Sequence, residues 1–265
     1  MNILRALPIL IVTVAVNGQA DDGINVAVAS NFLEVATEIA EKYTLSSGVP
    51  VRVIPGSTGH LYAQVVAGAP YDVFLAADVA RPTALIQRKL ADADTLTVYA
   101  VGYLVLWSND AAYERHNCYQ DFLDGNFRYL AIANPDTAPY GEAASRFLQA
   151  IGRWDDFADK LAYGENVLQA FQFAASGSAN LGLVAASHAM AYSSDNHADR
   201  KVTCLSSLPE ALSGLSRVEQ GGVVMSRSAN QHRARDFLQY MRGADIVALL
   251  TRRGYSTPSA RADTE

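Results

Sequence analysis

INVAVASNFLEVATEIAEKYTLSSGVPVRVIPGSTGHLY, residues 24–62, changes its hydrophobic period three times. Ile24–Ala29 is a short, unbroken apolar run and reads as a buried strand. After Ser30-Asn31 the apolar residues recur at Phe32, Val35, Ala36, Ile39 and Tyr43, one face of a helix. Asn31 with Glu34 three residues later has the form of a capping box. Val51–Ile54 returns to a strand, and Pro55-Gly56-Ser57-Thr58-Gly59 turns the chain into a second helix that ends near Gly68. Tyr71–Ala76 reads as a third strand, and Arg81-Pro82 opens a third helix with proline in its first turn. Strand and helix alternating at this cadence argue for a parallel α/β sheet.

Thr97–Trp107 is too long and β-rich for one ordinary strand and carries Gly102 in its middle, which suits a crossing into a second lobe. Beyond it come a strand at Tyr129–Ala133, helices near Gly141–Ile151 and Asn166–Ala175, and a strand at Leu181–Ala185. A return crossing is expected near Val218–Met225, followed by helices at Gln231–Met241 and Ala244–Arg252. The expected division is residues 24–99 with 220–265 in lobe I and 100–219 in lobe II, an α/β fold of two domains joined by two crossover strands. The cleft between such lobes lies beyond the carboxyl ends of the strands, where ligands of open α/β sheets bind.

Residues 1–20 read as an export signal. Met1–Arg5 carries one cation, Ala6–Val16 is apolar but too short to span a bilayer, and Gly18-Gln19-Ala20 supplies small residues for cleavage after Ala20. A periplasmic location follows, and no cysteine stands at the cleavage site to carry a lipid. Half of the 265 residues are hydrophobic, ample for a core, and the net charge of −6 argues against nucleic acid. Cys118 and Cys204 could form one disulfide in an oxidising compartment, although spacing alone does not bring them together. Both fall in the second lobe, so a bond between them would staple that lobe without restricting closure.

Four turns share one kind of place, before a helix start: Ser30-Asn31, Gly56–Gly59, Ala138-Pro139-Tyr140-Gly141 and Gly164-Glu165-Asn166-Val167. Helix N-termini converging on a cleft surround an anion with N–H donors and hydroxyls, without a formal positive charge. VAVASNF (26–32), PGSTGHLYAQ (55–64), GAPYDVFLAADVARP (68–82), NPDTAPYGEAA (134–144), GENVLQ (164–169) and QGGVV (220–224) together resemble the periplasmic molybdate-binding proteins of ABC importers, over essentially the whole chain past the leader. The resemblance implies a two-lobed solute-binding fold that closes on a tetrahedral oxyanion, molybdate and with it tungstate, and delivers it to a membrane permease. It further implies donors from Ser30, Asn31 and Ser57 in lobe I and backbone N–H donors from Tyr140 and Val167 in lobe II. A monomer without cofactor and without catalytic residues is expected. Two positions depart from the family pattern. Ala185 occupies the slot of a tyrosine that reaches the anion in many members, with Tyr192 as a candidate replacement, and His60 stands where lysine is expected.

Other readings are weaker. Another tetrahedral oxyanion such as sulfate offers the same acceptors. An exported esterase or phosphatase built on Ser57 would need a base and an orienting acid, and no G-x-S-x-G elbow is present. His188, His197 and His232 lack metal-ligand spacing and read as structural or surface residues. Asp72 and Asp78, each beside a strand end or helix start, suit caps and hinge contacts. Thirteen tyrosines raise ferric-ion binding, but the helix mouths are poor in the carboxylates that a hard cation requires.

Overall fold

The computed structural model describes residues 23–115, 117–194, 204–207 and 212–258, so the export signal expected at residues 1–20 lies outside the described residues. β1 (Ile24–Ala29) runs through a 3-10 turn at Ser30–Phe32 into α1 (Leu33–Ser47). β2 (Val51–Gly56), α2 (Thr58–Val66), β3 (Val73–Leu75) and α3 (Ala80–Gln87) follow. β1 pairs in parallel with β2 on one side and β3 on the other. Its near-complete burial explains the unbroken apolar run, since helices cover both faces of such a sheet. The expected capping box is not formed. Phe32 occupies the cap of α1 with no side-chain bond to the helix, because the intervening 3-10 turn carries Asn31 into the interior.

β4 (Thr97–Ser108) is the long crossing strand. From Thr97 to Tyr103 it pairs antiparallel with β9; from Leu104 onward it pairs antiparallel with β7 and β8. The second half of the molecule holds α4 (Cys118–Asp124), β5 (Leu130–Ala133), α5 (Pro139–Ala150), β6 (Leu161–Gly164), α6 (Val167–Ala175), β7 (Leu181–Ala185), α7 (Ala186–Ser194), β8 (Cys204–Ser207) and α8 (Ser213–Ser216). β9 (Arg217–Val224) crosses back to pair with β3, and α9 (Gln231–Tyr240) and α10 (Ala244–Arg252) pack against α1 in a core of Ile39, Tyr43, Phe237 and Leu249. The strand order is β2-β1-β3-β9-β4-β7-β5-β6, with β8 also on β4. Two sheet halves thus share two long strands.

The helices and strands of the second half that were not anticipated, α4, β6, α7, β8 and α8, are short or merge with a neighbour. β6 is half-exposed at the sheet edge, and α7 follows β7 with no turn residue between them. Cys118, at the start of α4, is bonded to Cys204, at the start of β8, with Cα atoms 5.9 Å apart. The second core stacks Phe122 between Phe127 and Phe147, with Phe157 against its edge.

Candidate functional site

The four turns all follow the carboxyl ends of parallel strands: Ser30-Asn31 after β1, Ser57 after β2, Tyr140 in the first turn of α5 after β5, and Val167 after β6. Ser57 caps α2, its hydroxyl oxygen accepting from the His60 amide at 3.3 Å, which leaves the hydroxyl proton free to donate. Thr58 Oγ1 accepts from the Ala77 amide at 3.1 Å. Asn166 caps α6 through the Gln169 amide at 3.1 Å, placing Val167 at the first helical position. Pro139 takes the first helical position of α5 and Tyr140 the second. The Tyr140 and Val167 amides are therefore first-turn N–H groups that no helical carbonyl reaches.

Direct bonds hold these helix starts against one another. The Gly59 amide in α2 donates to the Thr137 carbonyl ahead of α5 at 2.8 Å. A Cβ on Gly59 would lie 2.8 Å from that same oxygen, so only glycine allows the approach. His60 Nδ1 lies 3.0 Å from Glu165 Oε1, ahead of α6, with both side chains about half exposed. Arg81, paired with Asp78, reaches the Asp136 carbonyl at 3.5 Å. The 3-10 turn at Ser30 packs on α6 and α7. Ala29 and Ala77 join Ala138, Tyr140 and Val167 in one apolar cluster. Ser30, Asn31, Ser57, Tyr140 and Val167 are all buried in this seam.

Its polar lining is neutral. His188 lies under Ser30, and burial pushes its imidazole down to about 4, a bond with the Ser30 backbone working weakly the other way. Burial likewise raises the phenols of Tyr99, Tyr140 and Tyr255, which stay protonated donors. His60 and Arg81 spend their rings and guanidinium on Glu165 and Asp78 at the rim. Among the described residues no cluster of His, Cys, Asp and Glu could hold a metal ion. A groove of about 330 Å³ lies at the opposite, amino ends of β1 and β3, lined by Asn25, Asp72 and Ser228 among others. Asp72 is committed there to the Asn25 amide at 2.7 Å and Ser228 Oγ at 2.6 Å, and its carboxylate would repel an anion.

Ala185 brings no hydroxyl, and Tyr192 does not replace one. Its ring packs on Trp107 and Phe171 and its hydroxyl accepts from Asn109 Nδ2 at 3.0 Å. Sequence reasoning did not anticipate the polar group behind Asn31. Asn31 Nδ2 donates to Gln220 Oε1 at 2.9 Å and to the Tyr255 hydroxyl at 3.2 Å, while Tyr255 donates to the Asn31 carbonyl at 2.6 Å. The usable signal was Gln220 itself, placed on a crossing strand on the same face as Val218: a glutamine fully buried there must have partners.

The family model for bacterial extracellular solute-binding proteins matches residues 24–256. The chain belongs to this family. It is 33% identical over 231 residues to the molybdate-binding protein of Rhodobacter capsulatus, with 87% of each chain covered. It is 34% identical over 233 residues to that of Azotobacter vinelandii, covering 88% of this chain and 89% of the relative. The solved structure of the Azotobacter vinelandii periplasmic molybdate-binding protein superposes with a TM-score of 0.79 at 32% identity, covering 89% of this chain and all of that one. The two-lobed architecture read from the sequence is thus that of a solute-binding protein.

Proposed function

We propose that this solute-binding protein captures molybdate, and tungstate with it, in the seam and delivers the anion to the permease of an ABC importer. The observation that supports the reading is the bonding of the α2 start to the segments ahead of α5 and α6, beside buried Ser30, Ser57, Tyr140 and Val167 at helix starts. The relatives named for molybdate support the choice of anion. Ser30, Asn31 and Ser57 supply donors from lobe I, residues 24–99 with 220–265; the Tyr140 and Val167 amides supply them from lobe II, residues 100–219. A site of donors alone suits a fully deprotonated dianion. It disfavours protonated phosphate, whose O–H finds no acceptor. Sulfate presents the same acceptors, so its rejection rests on cavity size.

The protein acts outside the cytoplasm as a monomer that carries an anion and needs no cofactor. No helix among the described residues is long and apolar enough to cross a membrane, and the disulfide suits an oxidising compartment. We read it as a binder rather than an enzyme. The described contact of the Ser57 hydroxyl is the His60 amide, and the His60 ring turns to Glu165 instead. A melting-temperature screen against molybdate, tungstate, sulfate, phosphate and chromate tests the reading. A ligand at a hundred times its Kd adds about 2.7 kcal/mol of stability. Molybdate and tungstate are expected to stabilise and sulfate and phosphate to do little; equal shifts from all would remove the selectivity argument, and turnover of a model ester would favour an enzyme.

A further inference from the structure

Gly102 stands where the crossing strand β4 stops pairing with β9 and starts pairing with β7: it lies opposite Val218, and Leu104 lies opposite Ala185. Its φ is outside the left-handed region, so the backbone itself would admit a side chain there. A glycine inside a strand weakens it and often marks a place where another group comes close. Here that group is Tyr140. A Cβ on Gly102 would overlap the Tyr140 hydroxyl and lie 3.3 Å from Tyr140 Cζ and 2.8 Å from Gln220 Nε2. Gly102 shares a face of β4 with Leu104 and Leu106, which pack in one cluster with Tyr140.

No hydrogen bond holds Tyr140 in this position. Its hydroxyl is buried without a partner among the described residues, which costs free energy instead of supplying it. Packing seats the ring, in one apolar cluster with Leu104, Leu106, Ala185 and Val218. The strand beneath it is held on both edges. Val101 exchanges two backbone bonds with Ser256, at 2.7 and 2.9 Å, and Gly102 pairs with β9. A side chain at position 102 would therefore displace the tyrosine and not β4. Tyr140 stands in the first turn of α5, and its own amide is one of the proposed donors to the oxyanion, so a displaced ring moves that amide.

We infer, on the oxyanion reading above, that Gly102 is a positioning residue for the anion site: the place it leaves on β4 seats the Tyr140 ring, and that seat sets where the first-turn amide of α5 lies. A determinant of affinity thus sits at the junction of the two sheet halves, on a residue with no side chain to offer a ligand. The obstacle to any larger residue is one oxygen atom of Tyr140. Gln220 Nε2, the free end of a side chain, can give way more easily than a ring packed on all sides.

The test uses the chain without residues 1–20, labelled with 15N-tyrosine, with molybdate as probe and calorimetry alongside. In the parent, molybdate is expected to shift the Tyr140 amide signal, identified by its loss in Tyr140→Phe. Gly102→Ala is expected to weaken molybdate about tenfold or more, the loss of one hydrogen bond to a charged group, and to abolish the Tyr140 amide response. Tyr140→Phe, which deletes the overlapping hydroxyl, is expected to bind within about threefold of the parent and to melt no lower. The double variant decides. With the hydroxyl gone the nearest ring atom is Cζ at 3.3 Å, which a shift of a few tenths of an ångström accommodates, so affinity is expected to return to within about threefold of Tyr140→Phe. A strand weakened in itself would show no such rescue. Should Gly102→Ala alone not fold, the double variant still decides, because the seat requires it to fold and bind. Parent-like affinity in Gly102→Ala would overturn the inference and leave the molybdate reading standing. So would tight binding in the parent with an unmoved Tyr140 amide, or a double variant that does not fold or binds no better than Gly102→Ala. Neither heat nor thermal stabilisation with molybdate in the folded parent would overturn the molybdate reading itself, and this inference with it.

Discussion

In the proposed site the first half offers its donors on side chains, the Ser30 and Ser57 hydroxyls and the Asn31 amide, whereas the second offers the first-turn backbone amides of Tyr140 and Val167. The halves also differ in how they are held. The second carries the Cys118–Cys204 bond; the first relies on packing of α1 against α9 and α10. Side-chain donors can be deleted one at a time by ordinary substitution. Backbone donors are insensitive to side-chain identity and depend on the helix start being intact. A mutational scan of alanines would therefore see only one half of the site.

The largest expected effect breaks the comparison at the staple. The bond closes a long loop, a separation of 86 residues. Removing it by Cys118→Ser with Cys204→Ser is expected to cost about 2–4 kcal/mol of unfolding free energy. Molybdate affinity should barely change, because Cys118 starts α4 and Cys204 starts β8, and neither stands on one of the four turns of the proposed site. Denaturant unfolding and calorimetry on the double variant read the two quantities separately.

Acid should act next, through His188. Its imidazole, held down to about 4 by burial, is neutral in the folded protein at pH values where an unfolded histidine binds a proton. The contribution is present in full above about pH 6.5 and is lost as pH falls through 6.5 toward 4, amounting to roughly 3 kcal/mol by pH 4. Unfolding curves of the parent and His188→Gln from pH 7 to 4 should converge as the pH drops. Parallel curves would remove the buried neutral imidazole from the account.

The comparison itself is sharpened by a pair of substitutions. Ser30→Ala deletes a side-chain donor to a charged ligand and is expected to cost about 1.5–3 kcal/mol of binding. In the second half Val167→Ala should leave binding nearly unchanged, whereas Val167→Pro should cost as much as Ser30→Ala. Proline is accommodated there because position 167 is the first of α6, and Asn166, at φ −147° and ψ 174°, already has the extended backbone that precedes proline. The substitution removes an N–H and spares the helix, as circular dichroism would check. Ser57→Ala differs again: it should lose binding and about 1 kcal/mol of fold stability, since Ser57 also caps α2.

The smallest effect is expected at the rim. The His60–Glu165 pair is about half exposed, and such pairs contribute about 0–1 kcal/mol. His60→Gln should change molybdate affinity only slightly, and affinity in both proteins should stay nearly flat from about pH 6 to 8, because the proposed donors, hydroxyls and amides, do not titrate there. A steep loss with rising pH that vanishes in His60→Gln would place the imidazole on the anion.

Local pattern carried the sequence reading a long way. The period changes of residues 24–62 marked β1, α1, β2 and α2, and the length of Thr97–Trp107 marked the crossing strand, because burial on a sheet or along one helix face demands those periods. The glycine-bracketed and proline-started turns marked where helices begin, and thus where amides lie open. Partnership between distant residues was out of reach. Asn31 looked like a cap and instead bonds Gln220 and Tyr255, 189 and 224 residues away. His188 looked incidental and lies buried under Ser30, and Tyr192, a candidate for the missing hydroxyl, packs on Trp107. Element type follows from the alternation of polar and apolar residues along the chain. Which polar atom meets which is decided only when the two halves close on each other, because buried polar groups take their partners from whatever the fold brings within about 3 Å.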